Sequence, residues 1–392
     1  MPPFDSNRFI TSRLRAIDAS GIRRVFDLAA KLKDPIDLSI GQPDFDVPQP
    51  VKDAAIEAIQ AGFNRYTVTQ GTAALQEGVA AELAREFDHF AGPLSEGELG
   101  TLITSGVSGG LVLALLTCIE PGDEVLIGDP YFVMYPHLVT LAGGTPVFVD
   151  TYPDFQLTAD RLEPHITKRT KLVLFNSPSN PTGVVAPDAV CRDAVELVER
   201  RGLLLLTDEI YDQFCYAPVE RPPGSGRLRC PSPAQHTPNL LLLRGFSKTY
   251  GMPGWRMGYA VGPRPIIEQM TKLQQYSFVC APSMAQAAGV VALQQDMSEQ
   301  VTAYRRKRDR VLQRLGGAYE LTRPDGAFYA FPKVPAAVGQ TASQFVERAI
   351  ERSVLVIPGS VFSKRDTHIR ISYACGEDVL DKGLDVLLEL AE

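Results

Sequence analysis

The 392-residue chain has no excess of basic residues: 39 lysines and arginines stand against 46 aspartates and glutamates, a net charge of −7. Nucleic-acid binders ordinarily carry a basic excess or stripe, so no nucleic-acid partner is expected. Cysteine pairs at redox or metal spacing are missing as well. The six cysteines, at 118, 191, 215, 230, 280 and 375, form no CxxC and no disulfide framework, and they read as free thiols of a reducing compartment, the cytoplasm. The five histidines (89, 137, 165, 236 and 368) are isolated and none sits in HExxH, so no metal site is expected. The longest apolar run, LVLALLTCI, is far too short to span a bilayer, and the N-terminal MPPFDSNRFITSRLRAID lacks a basic region followed by an apolar one. Neither a membrane span nor an export signal is expected. Small molecules are the better partners.

What the chain has is a 45% hydrophobic composition and length enough for two domains. From about residue 100, β-rich runs at 102–104, 124–128, 145–150, 171–176, 203–209 and 240–244 alternate with helical patterns such as DAVCRDAVELVERR. That alternation predicts an α/β fold whose largely parallel sheet is covered on both faces, with ligands beyond the carboxyl ends of the strands. Past residue 300 a long charged helix, MSEQVTAYRRKRDRVLQRLG, is followed by short strands around GAFYAF, VLVIPG and HIRISYA, the pattern of a second, α+β domain. The predicted division is a large domain over 46–300 and a smaller one made of 1–45 with 301–392. The Pro/Gly-rich stretch 217–238 predicts an exposed loop.

Several chemically capable residues fall at the predicted strand ends. Lys248, in LLLRGFSKTYGMPGWRMGYA, stands among glycines and aromatics that let a backbone approach closely and keep water away. A lysine after a strand is ordinarily solvated, but desolvation here disfavours the ammonium and frees an amine able to form a Schiff base. An imine-forming lysine suggests a carbonyl cofactor such as pyridoxal 5′-phosphate, whose pyridine nitrogen needs an acidic partner. Asp208, after five apolar-rich positions, is the candidate, with capping of a following helix as the alternative role. The small-residue turn TSGVSGG (104–110), between a strand and a helix, offers N–H groups to a phosphate, although many such turns bind nothing. Ser247 and Arg256 could add a hydroxyl and a guanidinium fork, unless Arg256 is a surface ion-pair residue. In the pinned turn NSPSNPTG, Asn180 could present an amide donor to a phenolate oxygen, and Tyr211 faces the same way if DEIYDQF opens a helix. Arg370, inside the alternating strand HIRISYA, is costly to bury without an anion, which a substrate carboxylate would supply.

Together SIGQPDF, NRYTVTQG, PGDEVLIGDPYFVMY, NSPSNPTG, TDEIYD, GFSKTYGMPGWRMGYA, PDGAFYAF and HIRISYA, in order and over nearly the whole chain, closely resemble the class I/II aminotransferases of fold type I. The resemblance implies pyridoxal phosphate bound as an imine on Lys248, which also acts as general acid–base. It implies that Asp208 pairs with the pyridine nitrogen, that Asn180 and Tyr211 bond the ring oxygen, and that Tyr131 stacks on the ring. Ser105, Gly106, Val107, Ser247 and Arg256 would hold the phosphate, and Arg370 with Gly41 the substrate carboxylate. A tyrosine matching Tyr66 reaches the neighbouring subunit's phosphate in this family, which implies a homodimer with shared sites. Two half-reactions, amino acid to 2-oxo acid and back, imply ping-pong kinetics.

Two positions depart from similar aspartate-preferring bacterial relatives. Their phosphate-loop lysine is Ser108 here, and a threonine two after an N-terminal serine is Ile22. Both make the side-chain pocket less cationic and favour a neutral or aromatic donor over aspartate, while Arg65 or another basic residue could still recognise 2-oxoglutarate. Two other readings compete: a C–S lyase or aminocyclopropane-carboxylate-synthase-like enzyme of the same fold, and a binding or regulatory protein with a degenerate site.

Overall fold

The structure, a computed structural model, describes residues 4–17, 21, 32–216 and 230–392. Its strands in chain order are β1 (Ile36–Asp37), β2 (Leu99–Thr104), β3 (Glu124–Asp129), β4 (Thr145–Asp150), β5 (Thr170–Asn176), β6 (Leu204–Asp208), β7 (Leu241–Gly245), β8 (Gly258–Pro263), β9 (Tyr329–Ala330), β10 (Val354–Leu355), β11 (Ile357–Pro358) and β12 (Ile369–Ser372). A seven-stranded sheet runs β2-β8-β7-β6-β5-β3-β4. Its run from β7 to β4 is parallel throughout, whereas β8 is antiparallel to both β2 and β7. The antiparallel strand β8 lies beyond the last predicted run, 240–244. It arises because the lysine loop, residues 246–257, carries no crossover helix, so the chain can only turn back beside β7.

Alternation of side chains along the strands builds two cores from one sheet. Leu172, Leu174, Leu206, Leu241 and Leu243 face the core that contains the helix Gly106–Cys118. Val173, Phe175, Leu205 and Leu242 face the opposite core, with the helix Asp188–Arg201. Burial on both faces explains why these strands read as continuous leucine runs.

A separate cluster surrounds the antiparallel sheet β11-β12-β9 and the helices Ser298–Leu315, Ala342–Glu351 and Glu377–Ala391. β1 pairs in parallel with β10, so the segment after residue 32 packs with the C-terminal part of the chain. The loop after β1 is pinned there too: the Asp44 carboxylate accepts hydrogen bonds of 2.5 Å from both Tyr304 and Lys307 on the helix Ser298–Leu315.

Two local expectations change. No helix follows Asp208; residues 209–214 form turns closed by Asp212 N–H to Glu209 and Phe214 N–H to Tyr211. The stretch 217–238 is not simply an exposed loop. Residues 217–229 lie outside the described residues, but Cys230, Ser232, Ala234 and Thr237 are buried. The reason is a capping box between Ser232 and Gln235, with the Ser232 hydroxyl donating 2.6 Å to buried Glu209.

That glutamate belongs to a buried ionic network on the sheet. Arg244, on β7 and 1% exposed, donates to both oxygens of Glu86 at 2.7 and 3.0 Å and to Glu209 at 2.8 and 3.0 Å. Removing one partner of a buried pair leaves the other charge uncompensated, which costs about 3–5 kcal/mol. Arg244→Met should therefore lower the denaturant midpoint by a corresponding amount; unfolding curves that superimpose on wild type would show that the network is not a determinant of stability.

Candidate active site

Parallel strands bring the ends of β5, β6 and β7 to one side of the sheet. Asn176 and Asp208, the last residues of β5 and β6, are register partners. β7 leads within three residues to Ser247 and Lys248. Between them lies a cleft of about 240 Å³. Of the residues singled out in the sequence, Gly41, Val107, Ser108, Asn180, Asp208, Tyr211, Ser247, Lys248, Arg256 and Arg370 line it.

The Lys248 amine donates 2.5 Å to the Gly41 carbonyl, and its nitrogen lies 6.0 Å from the centroid of the Phe328 ring. Burial, then the positive charges of Arg370 and Arg256, lower its pKa to about 8, with Asp208 opposing. Asp208 is displaced the other way. Burial raises its carboxyl to about 6, against the Tyr135 hydroxyl, which donates 2.8 Å to Oδ2, the Ile210 N–H at 3.3 Å to Oδ1, and the charge of Lys248. Asn176 ties the two strand ends together. Its amide donates 2.8 Å to the Asp208 carbonyl, and its oxygen accepts the Asn180 N–H at 3.1 Å.

Arg370 sits in the opposite wall with no ion pair among the described residues. Its guanidinium donates to the Asn180 side chain (3.1 Å) and the Ser39 carbonyl (2.7 Å), and its Nε is buried without a partner. The rings of Tyr329 and Phe362 flank it at 4.6 and 4.7 Å from Cζ. Burial lowers its pKa, opposed by Tyr329, Tyr211 and Asp37. A buried guanidinium with an orphan N–H is suited to a carboxylate held by a fork.

The third part is the start of the helix Gly106–Cys118 with Arg256 beside it. Ser105 precedes the helix Gly106–Cys118 and makes no capping bond with its hydroxyl. Gly106 has φ +68, and a Cβ there would come within 2.7 Å of Arg256 Nη2. Gly258 is confined by backbone, since its Cβ would meet the Val107 nitrogen at 2.8 Å. Arg256 itself is left-handed at φ +53, a conformation that a non-glycine residue keeps only when its surroundings hold it there. Backbone N–H groups at a helix start beside a guanidinium bind anions well.

A profile of the aminotransferase class I and II family matches residues 33–387. The chain belongs to this family. It is 35% identical over 98% of its length to the whole of a probable aspartate aminotransferase of Methanocaldococcus jannaschii, and 34% identical to aromatic-amino-acid aminotransferase 2 of Thermococcus litoralis over 96% of both chains. The solved aspartate aminotransferase of Thermus thermophilus with maleate superimposes with a TM-score of 0.89 at 32% identity, covering 97% of this chain and 99% of that one. The protein is thus an aminotransferase of fold type I, moving an amino group between an amino acid and a 2-oxo acid.

Not every expected residue of the aminotransferase lines the cleft. Tyr131 does not: its ring packs on Phe148 at 4.9 Å and lines a smaller neighbouring cavity. Burial, with the charge of Asp129, pushes its hydroxyl up to about 12. Phe132, one residue on, is the aromatic that faces the cleft. PYF offers two adjacent rings in an irregular loop, and the second turns to the cleft while the first lines the cavity beside it. Tyr66 is 85% exposed and, with Arg65, borders a different surface groove; Ile22 lies outside the described residues. Tyr135, Asn176 and Tyr329, which sequence reasoning passed over, line the cleft with Phe132. Each stood inside a quoted motif, but nothing local says that the three would converge.

An amine with a pKa near 8 is half in its free-base form at pH 8, where an ordinary lysine, near 10.4, is almost wholly protonated. Reductive labelling of the ligand-free enzyme with a small aldehyde should modify Lys248 with a midpoint near pH 8, and labelling that rises only above pH 10 would contradict the burial assigned here. Tyr135→Phe removes a donor to the charged form of Asp208, so infrared titration of the carboxyl band should show its pKa rising by about one pH unit.

Proposed function

We propose that the cleft binds pyridoxal 5′-phosphate and that the enzyme transfers the amino group of a neutral or aromatic L-amino acid to a 2-oxo acid such as 2-oxoglutarate. The observation that carries the reading is Asp208: a fully buried carboxylate, bonded only by a hydroxyl and a backbone N–H, with no ion pair among the described residues. A ligand carrying a cationic ring N–H supplies the missing partner. The donor set around it fits the rest of the cofactor. Ser105, Gly106, Val107, Ser247 and Arg256 form a cradle for a phosphate, and Asn180 and Tyr211 offer donors to a ring oxygen. Phe132, rather than Tyr131, is placed to pack against the ring.

Bound pyridoxal phosphate supplies an aldehyde that condenses with amines and a ring that takes up the electron pair of a broken α C–H bond. The chain's own residues do the remainder. Arg370 holds the α-carboxylate, with Asn180 fixing one guanidinium nitrogen and Gly41 leaving room beside it. The Lys248 amine, half in its free-base form at pH 8, holds and moves the α-proton. Asp208 keeps a positive charge on its ring partner, and the apolar walls from Leu111, Ile210 and Pro253 keep water out.

Among the described residues the three cations lining the cleft, Lys248, Arg256 and Arg370, are all engaged in these roles, and Ser108 adds none. The relatives are named for aspartate and for aromatic amino acids; the lack of a fourth cation among the described residues of the cleft favours a donor without a side-chain carboxylate. On the same reading the enzyme is a cytoplasmic homodimer, supported by the exposed Phe63, Tyr66, Val68 and Tyr276. Residues 46–300 then form the cofactor-binding domain and 1–45 with 301–392 the smaller one, in keeping with the separate apolar clusters.

Purified protein should be yellow, and borohydride should fix the cofactor to the Lys248 peptide; colourless protein that binds no pyridoxal phosphate would sink the reading. A panel of amino acids with 2-oxoglutarate should yield glutamate, most from neutral or aromatic donors, whereas pyruvate and ammonia from cystathionine without glutamate would make the enzyme a lyase. Ser108→Lys should raise the aspartate-to-phenylalanine ratio of kcat/KM about fivefold, the worth of an ion pair of about 1 kcal/mol.

A further inference from the structure

Tyr329 has no role in the mechanism above, yet it touches two of the groups that do. Its hydroxyl lies 2.9 Å from the hydroxyl of Tyr211, and the two rings meet edge to face at 5.8 Å. Its ring carries the Arg370 guanidinium at 4.6 Å. It is buried on β9, where pairing of Ser372 with Tyr329 places it beside the strand that bears Arg370. Gly41 completes the enclosure, because a Cβ there would stand 2.8 Å from the Tyr329 hydroxyl.

A tyrosine hydroxyl has one proton to donate and two lone pairs. If Tyr211 gives its proton to Tyr329, it has none for a ligand; if Tyr329 gives, the Tyr211 proton remains for the cleft. We propose that Tyr329 is a positioning residue that donates its hydroxyl proton to Tyr211, thereby directing the Tyr211 proton at the oxygen of the ring bound in the cleft. The geometry favours this polarity. A cation over a phenol ring draws electrons from its oxygen and makes the O–H the better donor, and Arg370 lies over Tyr329. Burial disfavours ionisation of both hydroxyls and Arg370 favours it in both, while Asp208 opposes it in Tyr211 alone, so the charged groups facing the pair leave Tyr329 the better donor. The chained hydroxyls polarise each other, so Tyr211 becomes the stronger donor. Gly41 is required on this account, since any side chain would displace the Tyr329 oxygen.

The inference rests on pyridoxal phosphate occupying the cleft, and its test separates the two. In the holoenzyme, the pH midpoint of the visible absorption change reports the proton on the nitrogen joining Lys248 to the cofactor. A donor to the ring oxygen favours loss of that proton. Tyr329→Phe keeps the ring under Arg370 and removes only the hydroxyl, so it should raise the midpoint, with a protonation constant about three- to tenfold larger. Tyr211→Phe should raise it further, and Tyr329→Phe added to Tyr211→Phe should change nothing more. Weaker retention of the cofactor by the Tyr329→Phe protein, measured as a dissociation constant, should accompany the shift. A wild-type protein without the absorption change would remove the cofactor assignment itself. A wild type that titrates while Tyr329→Phe keeps the same midpoint, or shifts it equally in the Tyr211→Phe background, would overturn the role of Tyr329 alone.

Discussion

The structure is organised around charge that is buried and left without counter-charge. Asp208, Lys248 and Arg370 face one cleft, and among the described residues each is hydrogen-bonded only to neutral groups: a tyrosine hydroxyl and a backbone N–H, a carbonyl, an amide and a second carbonyl. Burial, against the Tyr135 and Ile210 hydrogen bonds and Lys248, drives the carboxyl toward its neutral form, to about 6, and burial with the charges of Arg370 and Arg256 drives the amine toward its own, to about 8. A protein built only for stability would pair such groups or replace them with apolar ones. That they persist is the physical signature of a site whose partners arrive with the ligand.

The rest of the fold can be understood as what it takes to hold those groups still. Strands apolar on both faces lock the ends of β5, β6 and β7 in register, so Asn176 and Asp208 stand side by side before any ligand is present. Beneath them, Arg244 neutralises Glu209, the residue next to Asp208, and therefore fixes the turn from which Tyr211 projects. Close approach of Gly106 and Gly258 lets the lysine loop fold back as β8 and sets Arg256 against the start of the helix Gly106–Cys118. The C-terminal part supplies the opposite wall. Arg370 and Tyr329 come from β12 and β9, and the Asp44 ties to Tyr304 and Lys307 carry the loop with Gly41 over the amine.

Much of this was legible in the sequence because it depends on local pattern. Leucine runs bounded by polar residues locate parallel strands, and the residue just past each run is where an α/β fold places chemistry, which is why Asp208, Asn180 and Lys248 stood out. Local pattern failed where the chain is irregular. No helix follows Asp208, because residues 209–214 are closed by turns and Glu209 is drawn into the ion pair with Arg244. In PYF the aromatic character was evident but not which ring turned to the cleft. The apolar burial of Ser232 and Ala234 was hidden in a stretch whose prolines and glycines suggest exposure.

By itself, then, the sequence determined the residues capable of the chemistry, the α/β class and the family motifs, since these follow from residue type and from periodicities of a few positions. Only the tertiary structure decided which of those residues meet. Tyr135 reaches Asp208 across 73 positions, Tyr329 reaches Tyr211 across 118, and Arg370 reaches Asn180 across 190. Contacts of that span are made by sheet register and by the packing of one core against another, and no run of neighbouring letters encodes them.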